Sequence, residues 1–375
     1  TPHTNKGKLL ERIDDIIYSI AYEKNLNIEK VKEALKEALL QMAQETISED
    51  FEYIVYLDDK SKSISLCKKI FAVEGEGELE MGTINIKEAK AIDDSIVVGD
   101  FLEEEIDLNT LRRSSSNFLF LSIEKKLQKL LEEDLYEKFN KQVGQIVHAT
   151  VVRVDNEENT ITEIGEVKGI LPLRNRIKGE KFKVGDTFSA ILNYVNTTHY
   201  GIHLELSRTT PKFLNELLHL EVPELKEGQL EIMGSARIPG VRAKVAIQSY
   251  SEQIDPIGSI VGTKGVRIKA VSSVLDGENI DCIEYSDKPE IFIARSLSPA
   301  IISSVVVLEE EKKALVKLHS EQKKKAIGSN GFNIRLASVL TGYQIELVEQ
   351  EASILGEAPI EPANNNSGGL AGLFE

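Results

Sequence analysis

Two Gly-x-x-Gly segments are the residues of this sequence whose spacing points most directly to chemistry. The first is Gly262-Thr263-Lys264-Gly265 and the second is Gly328-Ser329-Asn330-Gly331, at an offset of 66 residues. A glycine-bounded turn between two short helices lets the backbone approach a sugar-phosphate chain where a Cβ atom would collide. The amides and the dipole at the start of the following helix favour a phosphate at the same place. The pattern therefore predicts two sites for the backbone of a nucleic acid.

Polar side chains around the two turns are the candidate ligands for phosphate. In the first copy they are Thr263, Lys264, Arg267 and Lys269, and in the second copy they are Ser329, Asn330, Asn333 and Arg335. The second turn carries no charge, so we expect the first copy to supply most of the positive charge and the second to extend the same groove. The alternative for each copy is a pair of capped helices without a ligand, and it is stronger for the second.

The sequence on both sides of the turns also repeats. An isoleucine, a basic residue and a serine recur at the same offset, and each copy ends in a glycine turn followed by a strand pattern, at residues 280–285 and 344–348. Repetition of this kind indicates two copies of one structural unit. A Gly-x-x-Gly turn beside a groove that holds about four nucleotides is typical of KH domains, which bind single-stranded RNA. We expect two tandem type II KH domains, over residues 209–286 and 287–350.

A basic hairpin precedes the first turn. Arg237, Arg242 and Lys244 lie on either side of Pro239-Gly240. Because clustered positive charge attracts phosphate, this hairpin is a candidate lining for an RNA path that leads to the first KH groove. The alternative is an exposed β-turn with solvated charges.

Residues 141–208 are predicted to form a small β-barrel. They contain five short strand patterns separated by turn residues, which suits a closed barrel of the OB type. Aromatic side chains on the surface of such a barrel can stack on bases. His199 and Tyr200, beside Gly201 at a loop tip, are the stacking candidates, whereas Phe182 and Phe188 are expected in the core.

Residues 9–140 are predicted to form an α/β domain with a long helical stalk. Apolar residues recur at helical spacing around Leu10 and again around Val31, and strand patterns follow at 51–57 and 63–66. A serine cluster then precedes a helical pattern that runs to about Asn140. Together with the barrel and the KH units, this domain gives an α+β multidomain chain.

Charge is distributed unevenly along the sequence. Residues 1–140 hold 19 basic against 30 acidic residues, a net charge of −11, whereas residues 141–350 hold 26 against 27, a net charge of −1. Residues 351–375 add four acids and no base, which completes the total of −16. A near-neutral segment can still bind phosphate if its basic residues cluster on one face. The acidic front and the tail are not expected to contact nucleic acid.

Several function classes are excluded by what the sequence lacks. It contains no phosphate-binding P-loop, no Gly-x-Ser-x-Gly or His-Glu-x-x-His motif, and no cysteine or histidine pair at metal-ligand spacing. No apolar run approaches the roughly 20 residues that span a bilayer. The two cysteines, Cys67 and Cys282, lie far apart, which argues for a reducing compartment. We expect a cytoplasmic protein that is not an enzyme and that holds no cofactor and no metal.

Several segments resemble the bacterial NusA family of transcription factors. They are Leu206-Ser207-Arg208-Thr209, Glu221-Val222-Pro223-Glu224-Leu225, Pro239 to Lys244, Asp255-Pro256-Ile257-Gly258, both Gly-x-x-Gly turns and, near the start, Ile20-Ala21-Tyr22-Glu23-Lys24. The resemblance implies an S1-type barrel and an N-terminal domain that binds RNA polymerase core. It also implies a factor that binds nascent single-stranded RNA, acts with other Nus factors and modulates pausing, termination and antitermination. A monomer is expected.

Two features depart from the family pattern. Thr160-Ile161-Thr162 stands where S1-type domains usually place a stacking phenylalanine, and Pro172 stands where a histidine is common, so we expect little independent RNA binding by the barrel. The tail follows the second KH unit as a linker rich in Pro, Asn and Gly that ends in Leu370-Ala371-Gly372-Leu373-Phe374. For this apolar end, a frayed terminus and a docking peptide are both open.

Two other functions remain as alternatives at this point. One is an RNA-processing enzyme with accessory S1 and KH modules, and the other is a ribosome-associated RNA-binding protein. The domain order and the lack of a catalytic constellation in the first 140 residues argue against the enzyme.

Overall fold

The computed structural model describes residues 19–58, 63–75, 80–198 and 200–350. The chain divides into two compact units. One contains the chain up to Val143 together with Thr162–Ile170 and Leu192–Glu205, and the other contains the remainder. In the described ranges, no helix is long and apolar enough to cross a membrane.

The N-terminal part of the first unit is an α/β domain. Its elements are α1 (Ile28–Thr46), β1 (Glu52–Asp58), β2 (Ser63–Val73), β3 (Thr83–Asn85), α2 (Ile86–Ile92), β4 (Phe101–Ile106), a 3-10 turn (Leu108–Thr110) and α3 (Arg113–Asn140). The long strand β2 pairs antiparallel with β1 and β4 and parallel with β3. The predicted helix starting after Asn27 is confirmed, and the Asn27 side chain caps it by accepting a hydrogen bond of 2.9 Å from the Glu29 amide.

The core of this domain lies between α1, α3 and the first two strands. Val31, Leu35 and Leu39 are buried on α1 at helical spacing, and Leu119 and Leu127 are buried on α3. Apolar residues three and four positions apart share one face of a helix, so both helices bury one stripe in this core. The long helix predicted to end near Asn140 is confirmed. The first predicted helix, around Leu10, lies mostly outside the described residues.

The five predicted barrel strands are confirmed. They are β5 (Ile146–Val154), β6 (Thr160–Ile164), β7 (Val167–Leu171), β8 (Thr187–Thr198) and β9 (Gly201–Ser207), and they close in the order β5-β6-β7-β9-β8. Buried and exposed residues alternate along β5, β6 and β7, as expected for strands with one face in a barrel core.

Two copies of one α-β-β-α-α-β unit follow the barrel. The first comprises α4 (Pro211–Glu221), a short helix α5 (Pro223–Lys226), β10 (Leu230–Ile238), β11 (Arg242–Ser249), α6 (Pro256–Val261), a 3-10 turn (Thr263–Gly265), α7 (Val266–Val274) and β12 (Asn279–Glu284). The second comprises α8 (Pro289–Ser296), β13 (Ser304–Leu308), β14 (Lys313–His319), α9 (Ser320–Ile327), a 3-10 turn (Ser329–Gly331), α10 (Phe332–Thr341) and β15 (Gln344–Gln350).

The two copies share one sheet topology. In each, the first strand pairs antiparallel with the middle strand and the third strand pairs parallel with it. The repeat that the sequence shows around the glycines therefore extends through the whole unit. This order of elements is the one expected for type II KH domains.

The first KH unit shares a core with one end of the barrel. Ile177 and Ile191 from the barrel segment are buried in one cluster with Phe213, Leu217 and Leu275. At the same place, a Cβ atom on Gly240 would lie 2.5 Å from Ile177 Cγ2. Because the turn of the β10–β11 hairpin approaches the barrel this closely, the residue at 240 has to be glycine.

Candidate nucleic-acid interface

The two Gly-x-x-Gly turns have nearly the same backbone. In the first, φ is 75° at Gly262, 55° at Lys264 and 75° at Gly265. The corresponding values in the second are 73° at Gly328, 53° at Asn330 and 73° at Gly331. A hydrogen bond closes each turn, from the amide of the second glycine to the carbonyl of the first, at 3.0 and 3.2 Å. The repeat therefore builds one loop geometry twice.

The first glycine of each turn is required by a close approach. A Cβ atom on Gly262 would lie 2.8 Å from Cγ of Arg267, and one on Gly328 would lie 2.7 Å from Cβ of Asn333. Both contacts are shorter than real Cβ atoms show. The start of the following helix therefore packs directly against the glycine, and this packing fixes the direction in which its free amides point.

The middle residue of each turn has a strained backbone. Lys264 and Asn330 both occupy left-handed backbone although neither is glycine. Such residues cost about 1–3 kcal/mol each and cluster at ligand-binding loops. The same unfavourable conformation recurs at both turns, so the two loops share their backbone shape at this position as well.

Several predicted ligands lie exposed around the turns. Thr263, Lys264 and Lys269 are exposed at the first turn, and Ser329, Asn330 and Arg335 are exposed at the second. Within the described ranges, neither Lys264 nor Lys269 forms an ion pair. These two ammonium groups are therefore available to a phosphate beside the first turn.

Arg267 and Asn333 occupy equivalent positions, and both brace the turn from inside. Arg267 donates from Nη1 to the Ser259 carbonyl at 2.7 Å and to Glu224 Oε2 at 2.8 Å. Asn333 is 1% exposed and donates from Nδ2 to the carbonyls of Ala326 at 3.0 Å and Lys325 at 3.3 Å. The structure corrects the expectation of a phosphate contact for Asn333, whose buried Nδ2 already donates to backbone carbonyls. Arg267 is held through Nη1 alone and its side chain is 29% exposed, so its contact with phosphate stays a prediction.

The basic hairpin is also largely internal. Arg237 and Glu278 form an ion pair of 2.8 Å in which both side chains are 0% exposed. Arg237 further donates to the carbonyls of Thr210 at 2.7 Å and Arg208 at 3.0 Å, and the Gly240 amide donates to Glu278 at 2.8 Å. Arg237 therefore stabilises the junction of the barrel and the first KH unit, and the expectation that it lines an RNA path is corrected.

Lys244 and Arg242 share one carboxylate. Lys244 is 0% exposed, and its Nζ donates to Asp281 Oδ2 at 3.1 Å and to the Ser298 carbonyl of the second KH unit at 3.0 Å. Arg242 Nε donates to Asp281 Oδ2 at 2.7 Å. Burial lowers the pKa of Lys244 below its ordinary value, although Asp281 acts in the opposite direction. Lys244 is buried and cannot reach a phosphate, which corrects the expectation for Lys244. The Arg242 side chain is 32% exposed, and two cations on one carboxylate keep a net positive charge, so a phosphate contact by Arg242 stays a prediction.

The barrel offers one exposed aromatic residue at its predicted stacking loop. Tyr200 is 94% exposed, whereas His199 lies outside the described residues. Phe188 is buried and stacks on Phe182 with ring centroids 4.5 Å apart, as expected for core residues. Tyr200 is therefore free to stack on a base.

Sequence reasoning missed two lysines beside the second turn. Lys324 and Lys325 are exposed on the last turn of α9, immediately before Gly328. The neighbouring Lys323 pairs with Glu349. The run of three lysines was the available signal, because the last turn of a helix lies next to the loop that follows it. The second turn therefore has positive charge beside it, which is supplied by the last turn of α9.

The described residues show no candidate metal centre. They contain no group of three or more His, Cys, Asp or Glu side chains that could hold a metal. The two cysteines are free, with Cys67 buried and Cys282 partly buried.

Comparison with known protein families assigns three of the domains. The model of the NusA N-terminal domain matches residues 13–130, that of the NusA-like first KH domain matches 208–285, and that of the NusA-like second KH domain matches 289–353. The type II KH units and the α/β domain of the N-terminal part therefore belong to one known architecture. The predicted α+β multidomain fold is confirmed.

Similar proteins occur in several bacteria. A transcription termination/antitermination protein NusA from Helicobacter pylori is 42% identical over 364 residues, which cover 90% of this chain and 92% of the relative. Proteins of the same name from Thermus thermophilus and Borreliella burgdorferi are 37% and 32% identical, over 90% and 88% of this chain and 90% and 68% of the relatives. These relatives favour a transcription factor over the RNA-processing and ribosome-associated alternatives. With its N-terminal domain, barrel and paired glycine turns in this order, the chain belongs to the NusA family.

Proposed function

We propose that this protein is a transcription elongation factor that binds RNA polymerase core and nascent single-stranded RNA. It modulates pausing, termination and antitermination, and it has no catalytic activity of its own. The observation that carries the RNA part is the repeated turn, whose strained backbone and exposed lysines recur on two KH units. The polymerase part is supported by the N-terminal family match and by the names of the relatives.

Each domain has a separate role in this proposal. Residues 9–140 bind polymerase core, residues 141–208 form the S1-type barrel, and residues 209–286 and 287–350 are the two KH domains that hold RNA. Residues 351–375 form a tail. The protein works in the cytoplasm as a monomer, together with other Nus factors and without a cofactor or metal.

The RNA is held mainly by its backbone at the turns. Amides at the starts of α7 and α10 point toward the phosphates, and Lys264, Lys269 and Arg335 add charge beside them. Lys324 and Lys325 extend this charge at the second turn, and Tyr200 stacks on a base that reaches the barrel. Because the net charge of the whole chain is −16, binding depends on this local cluster and selects flexible single strands over duplex.

A single-round transcription assay on a hairpin-pause template tests the proposal. The intact protein is expected to lengthen the pause and to retain polymerase core, but not ribosomal subunits, when immobilised. Purified protein should leave labelled RNA intact with and without Mg²⁺. Retention of ribosomal subunits in place of polymerase, or metal-dependent RNA cleavage, would reverse the assignment in favour of the corresponding alternative.

A further inference from the structure

One face of the first KH sheet is covered by the second KH unit. The outward residues Ala236, Lys244, Ala246 and Ile283 are 0–3% exposed. Helix α10 contacts β10 and β11 on this face, and Leu340 Cδ1 of α10 lies 3.5 Å from the position of a Cβ atom on Gly234. The chain that follows β12 therefore folds back over the sheet to which β12 belongs.

The corresponding face of the second KH sheet has a similar arrangement of residues. In the first sheet, one row across the three strands is Ala236, Lys244 and Asp281. The matching row of the second sheet is Val306, Leu315 and Glu346. The ion pair of Arg242 with Asp281 also has a counterpart, since Lys313 pairs with Glu346 at 2.5 Å.

The face of the second sheet remains exposed. Val306 is 46%, Leu308 38% and Val348 37% exposed. Val306 and Leu308 lie on one strand beside the half-buried Leu315, and Val348 lies diagonally from Leu315, next to Lys317 and Glu346. These four apolar residues are called here the outer strip. The neighbouring residues on the same face of β14, Lys317 and His319, are exposed. Exposed apolar residues of this kind are typical of a docking site, and the charged groups around them are Lys317, His319 and the Lys313–Glu346 ion pair.

The repeat and the charge indicate which segment covers the outer strip. In the first unit the cover comes from the chain after the third strand. In the second unit that chain is residues 351–375, which lie outside the described residues and hold four acids and no base. Its first part, 351–361, reads Glu-Ala-Ser-Ile-Leu-Gly-Glu-Ala-Pro-Ile-Glu. We propose that residues 351–361 bind the outer strip, with Ile354, Leu355 and Ile360 on its apolar side chains.

The point at which residues 351–361 leave β15 favours their contact with the outer strip. Gln350, the last residue of β15, lies opposite His319 in the sheet, so the segment begins beside His319. Its acidic residues can then lie near Lys317 and His319. A short tether of this kind gives an effective concentration on the order of 1 mM, so a weak contact suffices to keep the strip covered.

Competition with a free peptide tests the proposal. A fluorescent peptide with the sequence 351–361 is titrated against the full chain, a chain ending at Glu361 and a chain ending at Gln350. All described elements remain in the shortest chain. The peptide is expected to bind the shortest chain saturably and the two longer chains at least about tenfold more weakly, because their own segment occupies the strip. Equal binding to all three chains, or none to the shortest, would overturn the proposal.

Two variants of the shortest chain locate the contact. Val306→Asp places a charge in the outer strip and is expected to weaken peptide binding by about tenfold or more, whereas Ile301→Asp, at a residue that is 70% exposed in the same unit, should leave it unchanged. RNA affinity of both variants serves as the check of folding. Unchanged binding by a folded Val306→Asp chain contradicts the site. If the peptide does not bind, dimerisation of the shortest chain would assign the outer strip to a second copy. Protection of the outer strip by RNA would assign it to RNA instead.

Discussion

Basic side chains at the first turn differ in what the fold leaves them free to do. Lys264 and Lys269 are exposed, whereas the guanidinium of Arg267 is held by Glu224 and by the Ser259 carbonyl. Sequence patterns predicted a turn between two helices at each pair of glycines, and the structure confirms that geometry. They could not separate free cations from bracing cations, because the partner Glu224 lies 43 residues from Arg267 in sequence.

Removing the free charge at the first turn should weaken RNA binding in a salt-dependent way. We expect Lys264→Ala with Lys269→Ala to lower affinity for single-stranded RNA by about tenfold at low salt and to reduce the slope of log K against log salt by about 1.4. Fluorescence anisotropy at several salt concentrations measures both. Lys90→Ala, which removes an exposed lysine of the N-terminal domain, is the control. An unchanged slope would show that these ammonium groups do not contact phosphate.

The thiol of Cys282 provides a prediction that depends on pH. Burial raises the pKa of Cys282 to about 12, with Asp281 as the second cause. Because the thiolate is the reactive form, we expect almost no alkylation of Cys282 in the native protein at pH 8 and rapid alkylation after unfolding. Mass spectrometry of iodoacetamide-treated protein measures this. If iodoacetamide labels Cys282 in the native protein as fast as it labels a cysteine in an unstructured peptide, strand β12 opens readily.

At the scale of elements, the regular segments were predictable and their contacts were not. The five barrel strands and the two helix-turn-helix-strand repeats follow from alternation, turn residues and the internal repeat. The hairpin at Pro239-Gly240 was also predicted, but its charges were placed on the surface. Glu278, the partner of Arg237, belongs to a turn 41 residues later, and only the folded parallel pairing of β11 and β12 brings the two together.

Breaking the buried pair at this junction should be costly. We expect Arg237→Ala to lower the free energy of unfolding by about 3–5 kcal/mol, because Glu278 would remain buried without its partner. Urea denaturation measures the change. Replacing both residues, as Arg237→Met with Glu278→Leu, should recover much of the loss.

An exposed ion pair supplies the control for this prediction. Lys129 and Glu133 pair on the surface of α3, with side chains 77% and 51% exposed. Lys129→Ala should change the free energy of unfolding by less than about 1 kcal/mol. Similar effects of Lys129→Ala and Arg237→Ala would contradict the assignment of Arg237 to a buried structural role.

At the scale of the whole molecule, the order of domains limits function more strongly than any one motif. Acidic residues 1–140 are expected to bind polymerase and not RNA, and the near-neutral segment that follows concentrates its free cations at two matching turns. The resemblance of the sequence to the NusA family predicted this order, and the family matches confirm it. The cover of the outer strip could not be predicted, because it depends on which sheet face the second KH unit leaves exposed.

Equilibrium binding of single-stranded RNA to a double glycine variant tests the central claim most directly. Gly265→Asp with Gly331→Asp adds negative charge where the phosphates lie, and Asp tolerates the left-handed backbone at both sites. Gly277→Asp with Gly342→Asp is the matched control, since these glycines have φ of 81° and 75° and open space around them but lie outside the turns. We predict at least a tenfold loss of affinity at matched salt for the first pair and little change for the second. Equal affinities for the two pairs would contradict the assignment of RNA binding to the turns.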